Sequence, residues 1–240
     1  MESSEKRKAL GGTKTDNSLG EEMTNSGVFN EFKLSSWIFW IMTHSIVFPF
    51  AIALGFGTAH FLEFTKNIFQ EIVASGFMYI AGGAIFGGMI GLVQWLFLRK
   101  KTTLTTSRWF HYSTLGICAG EVLGVAILLL FHYDRNFEID NGSYGWLVWT
   151  AIYSVGGLIA GYLQSSCLKK ITPFYRFWIL GSLISWGLCT FIWTGMITFF
   201  DFGLLAVVFG GLTLGLLSAI FLSQILKKSC VESNVVGEKD

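Results

Sequence analysis

Long apolar stretches alternate with short polar connections along most of this chain. Six of these stretches reach the roughly 20 mostly apolar residues that a helix needs to cross a hydrocarbon core. Each should be a helix, because backbone groups in lipid must find their hydrogen-bond partners within their own segment. The predicted spans are residues 37–59, 76–98, 109–131, 146–168, 177–199 and 202–226.

The two ends of the chain are polar. Residues 1–36 are rich in Ser, Gly, Lys, Glu and Asn and have no apolar run, which is typical of a disordered tail. Residues 227–240 form a second, shorter tail. The sequence therefore predicts an all-α polytopic membrane protein in which a six-helix bundle, residues 37–226, lies between two tails.

Composition and charge support this class and give the bundle an orientation. Only 14% of the residues are charged, against about 25% in soluble domains. Of the 17 lysines and arginines, only Lys66 and Arg135 fall in connections on one side of the predicted spans. The positive-inside rule then predicts that both termini are cytoplasmic, which requires an even number of spans. The net charge of +1 gives no reason to expect nucleic-acid binding.

A pattern of small residues recurs in the second, fourth and sixth spans. Steps of three and four residues keep its members on one helix face, and glycine there lets helices approach closely in lipid. We expect the three faces to be turned toward one another, within three tandem helical hairpins related by a rough threefold axis. The first, third and fifth spans each have a tryptophan at or near the inner end, and we interpret Trp37, Trp109 and Trp178 as corresponding residues. The pattern comprises Gly83, Gly87, Gly91, Gln94 and Leu98; Gly157, Gly161, Gln164 and Leu168; and Gly211, Gly215, Ser218 and Leu222.

Two glutamines within this pattern are candidate binding residues. Gln94 and Gln164 lie about 6 Å from the inner ends of their spans, at 1.5 Å per residue. An amide at this depth can bridge to a neighbouring helix, which contributes roughly 0.5 to 2 kcal/mol. A structural role therefore explains both glutamines, and ligand binding is the alternative.

Glu121 is the strongest candidate for a functional residue. It lies 12 residues into the third span, about 18 Å from the inner end, where inserting an acid costs at least about 2.5 kcal/mol. Proton or cation coupling is one interpretation, with His44 and Thr190 as possible partners. The other is a neutral carboxylic acid that only joins helices through a hydrogen bond.

The motif around Gln94 carries a resemblance. The sequence "GGMIGLVQWLFLRKK" followed by "SRWFHYSTLGICAGEVLG" resembles multi-span proteins frequent in cyanobacteria, in which GxxQWxxLR precedes an inner-face tryptophan and a glycine-rich helix. The resemblance is clearest over residues 82–124 and weaker over 153–187, where Ser165 follows Gln164. It implies architecture and a cyanobacterial source, and supplies no catalytic or binding residues.

Two classes of function remain after motifs are considered. The chain has no HExxH, GxSxG, P-loop or CxxC motif, so we expect neither an enzyme nor a bound cofactor or metal. The first hypothesis is a structural or assembly protein that packs against a membrane-protein partner or against copies of itself. The second is a small proton- or cation-coupled carrier or channel that uses Glu121. The expected location is a bacterial plasma membrane, or a thylakoid membrane if the source is cyanobacterial.

Overall fold

A computed structural model describes residues 34–63, 68–102, 106–133 and 145–237. The described residues contain helices and no strand. A short 3₁₀ turn, Pro173–Arg176, precedes the fifth helix. The helices are α1 (Leu34–Glu63), α2 (Ile68–Lys101), α3 (Arg108–Tyr133), α4 (Gly145–Leu168), α5 (Phe177–Phe200) and α6 (Gly203–Gly237).

Each of the six predicted apolar stretches lies within one of these helices, except that the sixth begins one residue before α6, at Phe202. The differences are at the ends, where α1 begins at Leu34 and α6 continues to Gly237. Residues 34–36 and 227–237, which the sequence suggested were parts of the tails, are therefore helical. The rest of the predicted tails, residues 1–33 and 238–240, lies outside the described residues.

Five of the six helices are long and apolar enough to cross a membrane, which fits a multi-pass membrane protein. Helix α3 is not among them, and residues 128–131 of its apolar run lie outside the residues whose side chains the structure describes. The five candidate spans are Leu34–Leu54, Ile80–Lys100, Gly145–Leu168, Pro173–Phe200 and Gly203–Lys227.

The six helices form a closed ring. Every helix packs against the helix before it and the helix after it in the chain, and α6 packs against α1. Among the described residues, helices that are not neighbours in the ring have no Cα atoms within 8 Å of each other. The ring has three junctions where an even-numbered helix meets the next odd-numbered one: α2 with α3, α4 with α5, and α6 with α1.

Aromatic side chains fill the middle of the ring. The Phe86 ring of α2 lies 5.4 Å from the Trp186 ring of α5, on the opposite side, and 5.0 Å from the Phe48 ring of α1. A second layer of rings lies toward the end that carries Leu98 and Leu168. There the Trp109 ring of α3 is 5.4 Å from the Trp178 ring of α5. The bundle is therefore solid at both of these levels.

The glycine faces lie at the three junctions. A Cβ atom on Gly157 of α4 would be 2.6 Å from Cβ of Trp186, and one on Gly211 of α6 would be 2.8 Å from Cβ of Phe48. Gly87 of α2 is equally close to Ile117 of α3. All three glycines are buried. The expected burial of these faces is confirmed, but the expectation that they face one another is wrong, because each faces the next helix of the ring.

Helix pairs within the ring also come close through glycine. A Cβ atom on Gly120 of α3 would be 2.7 Å from Cα of Gly156 on α4 and 3.0 Å from the carbonyl oxygen of Ile152. These are backbone atoms, so a side-chain rotation cannot relieve the clash. By contrast, a Cβ atom on Gly195 of α5 would meet nothing within 4 Å.

We expect Gly120→Ala to destabilise the bundle by about 1–3 kcal/mol, because α3 and α4 must move apart. The matched control Gly195→Ala should be neutral or slightly stabilising, since alanine is the better helix former by up to about 1 kcal/mol. Thermal unfolding of both variants in detergent micelles measures the difference. Equal stability of the two variants would contradict the close approach of α3 and α4.

Candidate functional site

A buried hydrogen-bond chain joins three helices at the α4–α5 junction. The indole Nε1 of Trp178 donates to Oε1 of Gln164 over 2.8 Å, and Nε2 of the same glutamine donates to the Ser113 hydroxyl over 2.6 Å. Ser113 in turn donates to the carbonyl of Trp109, one turn earlier in α3. One glutamine on α4 therefore connects α3 and α5, and both of its polar atoms are paired.

The α2–α3 junction repeats this arrangement with a histidine in place of the serine. Trp109 Nε1 donates to Gln94 Oε1 over 3.1 Å, and Gln94 Nε2 lies 3.2 Å from Nε2 of His44. Nδ1 of His44 lies 2.8 Å from the Trp40 carbonyl. Because a carbonyl only accepts, Nδ1 carries the proton and Nε2 accepts from the glutamine amide. The sequence-predicted residues Gln94 and His44 are therefore in direct contact.

The third junction, between α6 and α1, uses a shorter partner. Trp40 Nε1 donates to the Ser218 hydroxyl over 3.0 Å, and Ser218 donates to the carbonyl of Gly215. The tryptophan of α1 that corresponds to Trp109 and Trp178 is therefore Trp40, and not Trp37 as the sequence suggested. Trp37 is only half-buried and its ring packs on Phe97, whereas Trp40 is fully buried like Trp109 and Trp178.

Glu121 lies in a separate polar site between α2 and α4. Its side chain is 3% exposed, and the hydroxyl-bearing side chain of Tyr153 on α4 is its polar neighbour. On the other side, a Cβ atom on Gly83 of α2 would be 2.7 Å from Cγ of Glu121. Because Gly83 has no side chain, α2 leaves space for the side chain of Glu121. The Tyr153 ring also stacks with Trp186 and contacts Phe86, which ties the acid to the central aromatic layer.

In the structure, His44 and Thr190, the partners suggested for Glu121 by the sequence, form hydrogen bonds with other groups. Trp40 and Trp109 belong to one layer. His44 is four residues after Trp40, whereas Glu121 is twelve residues after Trp109. His44 is therefore about 12 Å closer to that layer than Glu121, at 1.5 Å per residue. Thr190 is buried at a depth that corresponds to Glu121, but its hydroxyl donates to the carbonyl of Trp186 in its own helix. In the described part of the chain, Tyr153 is the residue that the structure places on the Glu121 carboxyl group.

The described residues offer no metal centre. No three His, Cys, Asp or Glu side chains come together among them. Cys118, Cys167 and Cys189 are each present as free thiols. Among the side chains that the structure describes, the buried polar groups are amides, hydroxyls, indoles, the His44 imidazole and the Glu121 carboxyl group.

Comparison with known proteins adds no homologue to this picture. No family model, no curated protein and no solved structure gives a significant match to the chain.

We expect the Trp178–Gln164 bond to couple the two residues energetically. In a double-mutant cycle with Trp178→Phe and Gln164→Leu, the coupling energy should be about 0.5–1.5 kcal/mol, the range for hydrogen bonds between helices in lipid. Denaturation in mixed micelles measures all four variants. Trp37→Phe combined with Gln164→Leu is the control and should be additive within about 0.5 kcal/mol. Additivity of the first pair as well would contradict the hydrogen bond.

Proposed function

We propose that this protein is a structural or assembly protein of a bacterial membrane, built from six spans with both termini in the cytoplasm. The observation that carries the proposal is the filled centre of the ring. Aromatic rings meet at 5.4 Å in two layers, Phe86 of α2 with Trp186 of the opposite helix α5, and Trp109 of α3 with Trp178 of α5. A closed, solid ring suits a rigid element that presents an outer surface to other membrane proteins.

The proposed topology adds α3 as the sixth span. Three considerations support it: α3 is a full member of the ring, it is 26 residues long, and an odd number of spans would place the termini on opposite sides. The recurrence of the Trp and Gln or Ser pairs at all three junctions supports an internal repeat of three hairpins. The resemblance to cyanobacterial multi-span proteins favours a plasma or thylakoid membrane.

Purification in mild detergent followed by native mass spectrometry tests the proposed function. We expect a stoichiometric complex with another membrane protein or with further copies of this chain. Gly120→Ala, which loosens the bundle, should weaken that complex, and Gly195→Ala should leave it intact. A lone monomer for the wild type and for both variants would overturn the proposal.

Glu121 supports a second candidate, a proton- or cation-coupled carrier. A buried carboxyl group with a hydroxyl partner in the middle of a membrane protein is the usual form of an ion-binding site. The carrier would have to open the aromatic layers at Phe86 and Trp186 in each cycle, since they block the centre. For this reason the structural role remains our first proposal.

Substitutions at Glu121 separate the two candidates. A structural protein with Glu121→Gln should be nearly as stable as the wild type, because an amide also hydrogen-bonds a tyrosine hydroxyl. Glu121→Leu should cost about 0.5–2 kcal/mol. In reconstituted vesicles, neither the wild type nor Glu121→Gln should conduct protons or cations above empty vesicles. Flux in the wild type that Glu121→Gln abolishes would establish the carrier instead.

A further inference from the structure

Exposed basic side chains crowd one end of the ring. These residues flank the layer that contains Trp109 and Trp178, and two of the three junctions carry them. The exposed cations are Arg99, Lys100, Arg108, Lys169, Lys170, Arg176 and Lys227.

At the α2–α3 junction, basic residues lie on both sides of the connection between the two helices. Arg99 and Lys100 lie in the last turn of α2, and Arg108 begins α3. The ten residues 99–108 include no acid and five hydroxyl side chains. The Arg99 guanidinium lies over the Trp95 ring, 5.4 Å from its centroid, a contact that holds the side chain in place.

The α4–α5 junction repeats this composition. Lys169 and Lys170 follow the end of α4, and Arg176 precedes α5, again with no acid between them. The Arg176 guanidinium lies 5.8 Å from the Tyr175 ring centroid, and its Nε donates to the Tyr175 hydroxyl over 3.3 Å. Each junction therefore combines basic residues at the end of one helix, an arginine at or just before the start of the next, and one guanidinium in contact with an aromatic ring.

The α6–α1 junction departs from this composition. Arg99 and Lys100 are the fifth and sixth residues after Gln94. The fifth and sixth residues after Ser218 are Ser223 and Gln224, which carry no charge. The basic pair, Lys227 and Lys228, comes one helical turn later, or about 6 Å further along α6. This helix continues to Gly237 and makes no chain reversal there.

We propose that the α2–α3 and α4–α5 junctions each bind the headgroup of one anionic phospholipid, and that the α6–α1 junction does not. Arginine forks pair with phosphate oxygens in a bidentate manner, and the lysines add charge. The proposal is independent of the assembly role proposed above.

The surroundings of the arginines favour a lipid over a soluble phosphate. Exposed apolar side chains lie directly on the membrane side of each basic group: Leu96, 43% exposed, is one turn before Arg99, and Phe177, 50% exposed, follows Arg176. A headgroup held by the cations would therefore lay its acyl chains along apolar helix surface. Inorganic phosphate could use only the charged part of such a site.

Native mass spectrometry of the purified full chain, titrated with phosphatidylglycerol, tests this proposal. We expect two tightly held lipids on the wild type. The variant Arg99→Gln, Lys100→Gln, Arg108→Gln should hold one, and so should Lys169→Gln, Lys170→Gln, Arg176→Gln. Each cation near the headgroup contributes about fivefold in affinity, so the altered site should bind about a hundredfold more weakly.

Four comparisons make the result decisive. The matched control Lys227→Gln, Lys228→Gln should still hold two lipids. Arg99→Lys, Arg108→Lys should bind the first lipid more weakly than the wild type and more tightly than the triple glutamine variant, because the charge remains and the bidentate pairing is lost. Phosphatidylcholine should not occupy the sites, and a large excess of inorganic phosphate should not displace the bound lipid. Equal loss in the Lys227/Lys228 control, three bound lipids, equal binding of phosphatidylcholine, or displacement by phosphate would each overturn the proposal.

Discussion

The bundle depends on hydrogen bonds that pair three buried indoles with oxygen atoms of the adjoining helices. Three indoles, of Trp40, Trp109 and Trp178, lie fully buried where the helices converge. An indole N–H without an acceptor in such a place costs several kcal/mol, so each needs an oxygen from the adjoining helix. Gln94, Gln164 and Ser218 provide it. These bonds fix both the rotation and the depth of each even-numbered helix against the next odd-numbered one.

The small residues make those bonds possible. Gly161 is one turn before Gln164, and a Cβ atom there would be 2.6 Å from Cβ of Ser182 on α5. With a larger residue, α4 and α5 would separate, and the Gln164 amide would no longer reach the Trp178 indole. Glycine spacing and glutamine placement are thus one requirement, which explains why the two occur together in the sequence at steps of three and four.

Much of this fold can be predicted from the sequence. Six apolar stretches gave six helices, and the recurring small residues correctly marked buried faces, because hydrophobic length and helical periodicity are local properties. Trp37 was chosen wrongly over Trp40 because both lie near the start of the first span. The spacing identifies Trp40 as the corresponding residue, because 69 positions separate Trp40 from Trp109 and Trp109 from Trp178.

The partners of Glu121 and His44 could not be predicted in this way. Tyr153 reaches Glu121 because α4 follows α3 around the ring with a particular rotation, which a property of α3 alone does not specify. His44 contacts Gln94 for a similar reason, since Gln94 is bonded on both sides, to α1 and to α3. Contacts of this kind follow from the packing of three helices at once.

Closure of the ring has a consequence for how the protein is made. Trp40 binds Ser218, which lies 178 positions later in the chain. At a synthesis rate of about 5–20 residues per second, α1 waits about 10–35 s for α6 to leave the ribosome. Until then the Trp40 indole and the face of α1 that α6 will cover stand open to lipid. The contact that closes the ring can therefore form only after the last helix has been made.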